Sequence, residues 1–326
     1  MNIVRANKKI RWGIMGLGRI AGVFCDMLKE LEQAEIYAVA SRTIEKAESF
    51  GEKYHAVKCY GSYEELVKDE NVDIIYIATP IGCHYEHAKL CLEAGKNVLC
   101  EKALTMHAYE AEELYALAKE KQLFFMEAVW SKCHPVYRKL MEWKKEGKFG
   151  QIQSVEARIF TLGSRQHRLL KKNEGGVLYD LTIYPLVYAC SLLGYEPTEV
   201  RAMAVKDGED VDVVDSVQLH YENGAFATLV GALSCERQGS LYIHGTEGKV
   251  LIHKERFHQA QYVELLDWNN QLIDSLDAPF MVNGYEYEAL EAMKCLSEGR
   301  TESELIPMEE TIALIRLMEE CKRQWD

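Results

Sequence analysis

The chain reads as an α/β protein, with an N-terminal doubly wound parallel sheet of the Rossmann type followed by an α+β domain built on a large, mostly antiparallel open sheet. Three observations predict this. Short apolar runs alternate with helical patterns through the first 127 residues. Two of those runs, 73–78 and 97–100, are apolar almost throughout, as parallel strands covered on both faces must be. Beyond about residue 130 the texture changes to period-two alternation broken by tight turns. At 326 residues the chain exceeds a comfortable single core, and the change of texture divides it into 1–127 and 128–326.

The elements follow in order. Ile10–Met15 is an apolar strand running into Gly16-Leu17-Gly18-Arg19-Ile20-Ala21, a G-x-G-x-x-A turn that opens a helix over 19–31. Gly16 permits the sharp turn, Gly18 lets backbone approach a pyrophosphate, and the small Ala21 lets helix and strand pack closely. The N–H groups of the opening helical turn, where Arg19 and Ile20 sit, face the phosphates with partial positive charge. Strands are expected at 35–40, 57–60, 72–78, 97–101 and 123–127, with helices at 43–54, 62–69, 83–95 and 107–121. Ser62 with Glu65 has the spacing of a capping box, and Gly95 sits where a helix C-cap belongs. In the second half Val217, Leu219 and Tyr221 alternate with polar neighbours. Asn223-Gly224 turns that strand into 225–230, and Thr246-Glu247-Gly248 joins 239–245 to 249–253. Helical patterns return at 283–298 and 307–325.

Composition narrows the function. The formal net charge of −13 argues against nucleic-acid or anionic-membrane partners. The longest uncharged apolar stretch, Leu181–Tyr195, contains Pro185 and is too short to span a bilayer. No apolar h-region follows Met1, so no signal peptide is expected. Ten scattered cysteines without a C-x-x-C pair suit a reduced, cytoplasmic protein. Cys83, His84, His87, His55 and Cys59 do not form a known ligand spacing, and no metal is expected.

Three further constellations bear on chemistry. At the end of the second strand, where NAD-binding folds carry a carboxylate for the ribose 2′-hydroxyl, stand Ser41 and Arg42. A guanidinium and a hydroxyl suit a 2′-phosphate, which favours NADP over NAD; an exposed loop arginine is the competing reading. Glu101-Lys102-Ala103 ends the fifth strand, on the edge where α/β sheets bind ligands, although a solvated lysine is the commoner fate of that residue type. Gly175 and Gly176 precede Asp180 and Tyr184, which a helix beginning there would place on one face, with Pro185 tolerated in its first turn. A carboxylate in so apolar a stretch needs a partner, and a lysine is the natural one; otherwise Asp180 is a cap and Tyr184 core. Arg165, Arg168, Lys171 and Lys172 form a basic loop just upstream.

These residues resemble the Gfo/Idh/MocA family over nearly the whole chain. The resemblance rests on the glycine loop, on Ile77-Ala78-Thr79-Pro80 with His84, and on Gly95-Lys96-Asn97-Val98-Leu99-Cys100-Glu101-Lys102. It continues through Gly175-Gly176 to Asp180, the His244–Gly248 turn and the final helix. Met126–Trp130, His167-Arg168-Leu169, tyrosine at 184 and Asn283–Glu288 are similar to its branch of dimeric dihydrodiol dehydrogenases and NADP-dependent D-xylose dehydrogenases. The resemblance implies catalytic Lys102 and Tyr184 supported by Asp180, and cofactor contacts from Thr79, Pro80, His84, Glu101 and Lys102 besides the glycine loop, Ser41 and Arg42. It implies substrate contacts from Trp130, Arg168 and Tyr184, and a homodimer formed through the C-terminal sheet. Ala103 departs from the proline many relatives carry there. The expected activity is NADP(H)-dependent hydride transfer to or from a sugar, polyol or vicinal diol. A cofactor-sensing regulatory relative without turnover, or an NAD-dependent glycoside hydrolase, are the alternatives on the same scaffold.

Overall fold

The computed structural model describes residues 9–162, 175–207, 211–234, 237–253 and 256–325. It divides into two compact units, Met1–Trp130 with Met281–Thr311, and Ser131–Phe280 with Ile312–Asp326. The division therefore differs from a single cut at 127/128. Residues 281–311 rejoin the first unit, because their polar groups are satisfied there. Asn283 Nδ2 donates to the Val23 carbonyl (3.1 Å), Phe125 N–H donates to the Thr301 carbonyl (3.1 Å), and Thr311 Oγ1 donates to Glu127 Oε2 (2.9 Å). Amphipathic periodicity announces a helix at 283–298 but not which core its apolar face joins.

In the first unit the chain runs β1 (Ile10–Met15), α1 (Arg19–Leu28), β2 (Ala34–Ala40), α2 (Ile44–Tyr54), β3 (Lys58–Tyr60), α3 (Tyr63–Lys68), β4 (Ile74–Ile77), α4 (His84–Glu93), β5 (Asn97–Glu101), α5 (Ala108–Lys121) and β6 (Phe125–Ala128). The strands pair in parallel in the order β3-β2-β1-β4-β5-β6. The order reverses beside β1, so a crevice opens at the carboxyl ends of β1 and β4, the usual ligand position in such sheets. All four residues of β4 are buried, as the apolar run requires. Ser62 Oγ caps α3 by accepting from Glu65 N–H (3.2 Å), while the two-sided capping box belongs to His107 and Glu110 at the start of α5. Gly95 has φ +77° just beyond α4, the left-handed residue expected there.

A short helix, α6 (Trp130–Cys133), and α7 (Pro135–Lys145) lead to β7 (Ile152–Leu162). Then come a π turn (Leu178–Thr182), α8 (Ile183–Leu193), β8 (Glu199–Asp207), β9 (Val211–His220), β10 (Phe226–Ser234), β11 (Gln238–Gly245), β12 (Lys249–Ile252), β13 (Tyr262–Leu266) and β14 (Leu272–Asp277). The second unit's sheet has eight strands in the order β14-β13-β12-β11-β7-β10-β9-β8, antiparallel except for the β10–β7 pair. Helix α8 packs on β7 and β10 and is buried on nearly every side; Val217 and Leu219 face inward while Gln218 and His220 face water. Helix α9 (Glu286–Ser297) returns to the first unit, and α10 (Met308–Arg323) closes the chain. No helix among the described residues is long and apolar enough to cross a membrane.

Candidate active site

The glycine loop is shaped for an anion. Gly16 has φ +89°, and a Cβ there would lie 2.7 Å from Thr79 Cγ2 and 3.0 Å from the Ala78 carbonyl carbon and oxygen, so neither the conformation nor the space admits a side chain. A Cβ on Gly18 would meet nothing within 4 Å. Gly18 is the N-cap of α1, makes no side-chain cap, and is followed by no acidic residue in the first turn. The N–H groups at Arg19 and Ile20 thus open a helix whose positive end carries no carboxylate. This cradle fits a dinucleotide pyrophosphate.

Around it the strand ends deliver the other expected residues of the first unit. Ser41 is buried and its N–H donates to the Tyr60 carbonyl (3.2 Å), whereas Arg42 is exposed. The Arg42 guanidinium acts on the half-buried phenol of Tyr63, opposing the upward push that burial gives its pKa. Thr79 Oγ1 is 2.9 Å from His87 Nδ1, and Pro80 is exposed. His84 is buried, with Nε2 2.8 Å from the Thr79 carbonyl and Nδ1 3.0 Å from the Ala103 carbonyl. Burial lowers its pKa to about 4, so the neutral ring has one N–H and donates to one of these carbonyls at a time. Its ring nitrogens tie the loop after β4 to the loop after β5.

That second loop carries Lys102. Glu101 is buried; its Oε1 accepts from the Tyr76 hydroxyl, and its Oε2 accepts from Lys102 N–H (3.2 Å). The Lys102–Ala103 peptide is cis. Leu104 N–H donates to Glu127 Oε1 (2.8 Å), so buried carboxylates hold the backbone on either side of Lys102–Ala103. Trp130 is buried and stacks on Tyr285 at 4.3 Å with the rings 6° apart. Glu288, the last residue of the Asn283–Glu288 segment, is also in this cluster. Its carboxyl oxygens are buried with no hydrogen-bond partner among the described residues, and burial followed by the charge of Glu101 drives its pKa well up.

Asp180 and Tyr184 belong to the second unit. The helix does not begin at Asp180 as the spacing suggested; helical backbone is already under way at Gly176 and widens into the π turn before α8. Such a widened turn leaves room for Pro185 against the carbonyl four residues earlier. Tyr184 is buried with its ring stacked on His258 at 4.2 Å and 21°. Arg256 stands beside both expected residues. Burial lowers its pKa, while the charges of Tyr184 and Asp180 oppose that shift, and its buried Nε makes no hydrogen bond among the described residues. Arg256 and His258 come from a short 3₁₀ turn, Phe257–Gln259 with Arg256 at its N-cap, which carries no motif, and nothing in the sequence pattern singles them out. Arg165, Arg168, Lys171 and Lys172 lie outside the described residues. Among the described residues no three His, Cys, Asp or Glu side chains cluster to hold a metal.

Comparison with known proteins agrees with this geometry. Residues 10–129 match the model of an oxidoreductase family with an NAD-binding Rossmann fold, GFO_IDH_MocA, and residues 137–251 match the GFO/IDH/MocA C-terminal domain. The chain is 34% identical to mouse trans-1,2-dihydrobenzene-1,2-diol dehydrogenase, covering 96% of each. It is 32% identical to the D-xylose 1-dehydrogenase (NADP(+)) of Hypocrea jecorina, covering 97% of this chain and 92% of that one. Among solved structures, an aldose-aldose oxidoreductase from Caulobacter crescentus complexed with glycerol superimposes with a TM-score of 0.86 at 25% identity, covering 97% of each chain. A 3-ketoreductase from Actinomadura kijaniata in complex with NADP and TDP-benzene shares the fold, with a TM-score of 0.86 at 24% identity over 98% of each chain. With both halves matched and full-length relatives above 30% identity, the chain belongs to the Gfo/Idh/MocA oxidoreductase family.

Proposed function

We propose that the protein is an NADP(H)-dependent oxidoreductase that interconverts an alcohol and a carbonyl on a sugar, polyol or vicinal diol. The observation that carries this reading is the carboxylate-free N-terminus of α1 behind Gly16 and Gly18, in a relative of a diol dehydrogenase and of an NADP(+)-dependent D-xylose dehydrogenase. Arg42, exposed at the end of β2 where NAD-specific folds carry a carboxylate, supports recognition of the 2′-phosphate. Thr79, Pro80, Glu101 and Lys102 complete the cofactor side, and His84 serves it indirectly by bracing their loops. Trp130, Tyr184 and Arg168 contact the substrate.

The bound nicotinamide supplies or accepts the hydride. The chain's own task is the hydroxyl proton. A free phenol near pKa 10 is a poor base at neutral pH, and a nearby cation favours the phenolate. In this reading Tyr184 takes or returns the proton through its phenolic oxygen, Lys102 lowers the phenol pKa and polarises the substrate oxygen, and Asp180 holds the Lys102 ammonium. The Arg256 guanidinium adds a second positive charge on the Tyr184 side. Replacing Tyr184 by Phe lowers kcat by about 10³-fold while the affinity for NADPH, read by fluorescence titration, stays within about twofold. Turnover retained in that variant refutes the role.

A homodimer formed through the open sheet face is part of the same proposal. The strand register puts Met203 (77% exposed), Phe226 (41%) and Leu251 (42%) on one face of the second unit's sheet, the kind of apolar surface that a second copy covers. No disulfide joins any two of the described cysteines, which suits the cytoplasmic location read from the sequence.

A further inference from the structure

The π turn that leads into Tyr184 is held from outside the helix by two buried carboxyl groups on β9. Leu178 N–H donates to Asp212 Oδ2 (2.7 Å), and the Thr182 hydroxyl lies 2.7 Å from Asp215 Oδ1 and 2.8 Å from Asp215 Oδ2. Two glycines admit this approach. A Cβ on Gly176, whose φ is +71°, would overlap the Asp212 carboxyl, and one on Gly231, opposite Asp215 across the β9–β10 ladder, would overlap Thr182 Oγ1. Thr182 and Asp215 are themselves buried.

The double contact has a chemical consequence. A hydroxyl has one proton and can donate to one oxygen only. A protonated carboxyl supplies a second hydrogen, donated back to Thr182 Oγ1, and closes a neutral ring in which both short contacts are hydrogen bonds. The surroundings favour that form. Burial and then the charge of Asp212 push the Asp215 pKa well up, while the Thr182 hydroxyl and the Gly231 N–H oppose the shift. Cys321 of α10 faces the same group, and Lys322 offsets the charge of Asp212 rather than that of Asp215.

We propose that Thr182 and Asp215 are positioning residues for Tyr184, whose paired hydrogen bonds pin the end of the π turn and so set where the phenolic oxygen sits two residues further on. A π turn makes its backbone bonds one residue out of the ordinary helical register, so its end needs such an outside tie if the next side chain is to point in one direction. The proposal rests on Tyr184 being the acid–base group, and its test separates the two claims. The protein saturated with NADP⁺ is assayed with whichever of D-xylose, D-glucose and a vicinal cyclohexanediol it reduces NADP⁺ with fastest, as Thr182→Val, Thr182→Ser, Asp215→Asn and Tyr184→Phe variants beside the wild type. Thr182→Val keeps shape but loses the hydroxyl. It is expected to lower kcat about tenfold, to move the acid–base limb of the kcat profile by about half a pH unit or more, and to leave NADPH affinity within about twofold. Thr182→Ser, and Asp215→Asn, whose amide both donates and accepts, are expected to keep kcat within about threefold. Thr182→Ala gives the same reading as valine if the valine variant does not fold. A Thr182→Val enzyme with unchanged kcat and profile overturns the positioning role, as does equal loss in the valine, serine and asparagine variants. Full turnover by Tyr184→Phe overturns the reading of Tyr184 beneath it.

Discussion

Two helices in this molecule carry the proposed site residues in their first turns, α1 behind the glycine loop and α8 behind the π turn, and they are held in different ways. At α1 the shape is local. Gly16 and Gly18 set the turn within the span of six residues, and the nearest constraint, Thr79 with Ala78, is the end of the neighbouring strand β4. At α8 the shape is imposed from afar, by carboxyl groups on β9 that lie 34 positions from Leu178 and 33 from Thr182. A backbone device written in adjacent residues survives as a motif. A side-chain device assembled across a sheet leaves no pattern in the chain.

The contrast can be broken at either helix. The largest effect is expected at the local one. Gly16→Val must both adopt a positive φ and place atoms against Thr79 and Ala78, so NADPH affinity should fall by roughly 100-fold or more, read by fluorescence titration, with the second unit's side-chain ties untouched. Near-normal binding in that variant would mean that the turn adapts and that the local device is not what shapes the cradle.

A smaller effect is expected at His84, which braces two loops of the first unit across the sheet. Its pKa of about 4 in the fold lies below the ordinary 6.5, so the unfolded chain binds the proton first as the pH falls. The stability it contributes is fully present above about pH 6.5 and is lost as the pH falls to about 4, amounting to roughly 3 kcal/mol. Urea unfolding of the wild type and of His84→Gln at a series of pH values should show their difference narrowing through that window. A constant difference would mean that the neutral ring is not bridging the two loops.

The same contrast explains what was legible in the sequence. The parallel strands fall within two residues of where the apolar runs put them, because strands buried on both faces are continuous apolar words bounded by turn residues. Gly16, Arg42 and Lys102 stand out as candidates because topology assigns a task to the end of each strand. Strand β8 was not, since Met203 and Val205 face outward and exposed apolar residues hide the period-two alternation. The return of residues 281–311 to the first unit was hidden because a helix's apolar stripe does not name its partner. In the second unit Asp180 and Tyr184 stood out by spacing. Arg256, His258, Asp212 and Asp215 did not, since each acquires its meaning only from a contact made across the fold.

The central claim, hydride exchange between NADP and an alcohol or carbonyl carbon, is tested most directly by mixing the purified protein with NADP⁺ or NAD⁺ and a panel of aldoses, polyols, vicinal diols and glycosides. The nicotinamide absorbance band reports reduction, and product analysis reports free sugar. The account predicts substrate-dependent reduction, faster with NADP⁺ than with NAD⁺, with carbonyl product formed in equal amount. Binding of NADPH without turnover on any member of the panel, or release of free sugar from a glycoside without net reduction, would contradict it.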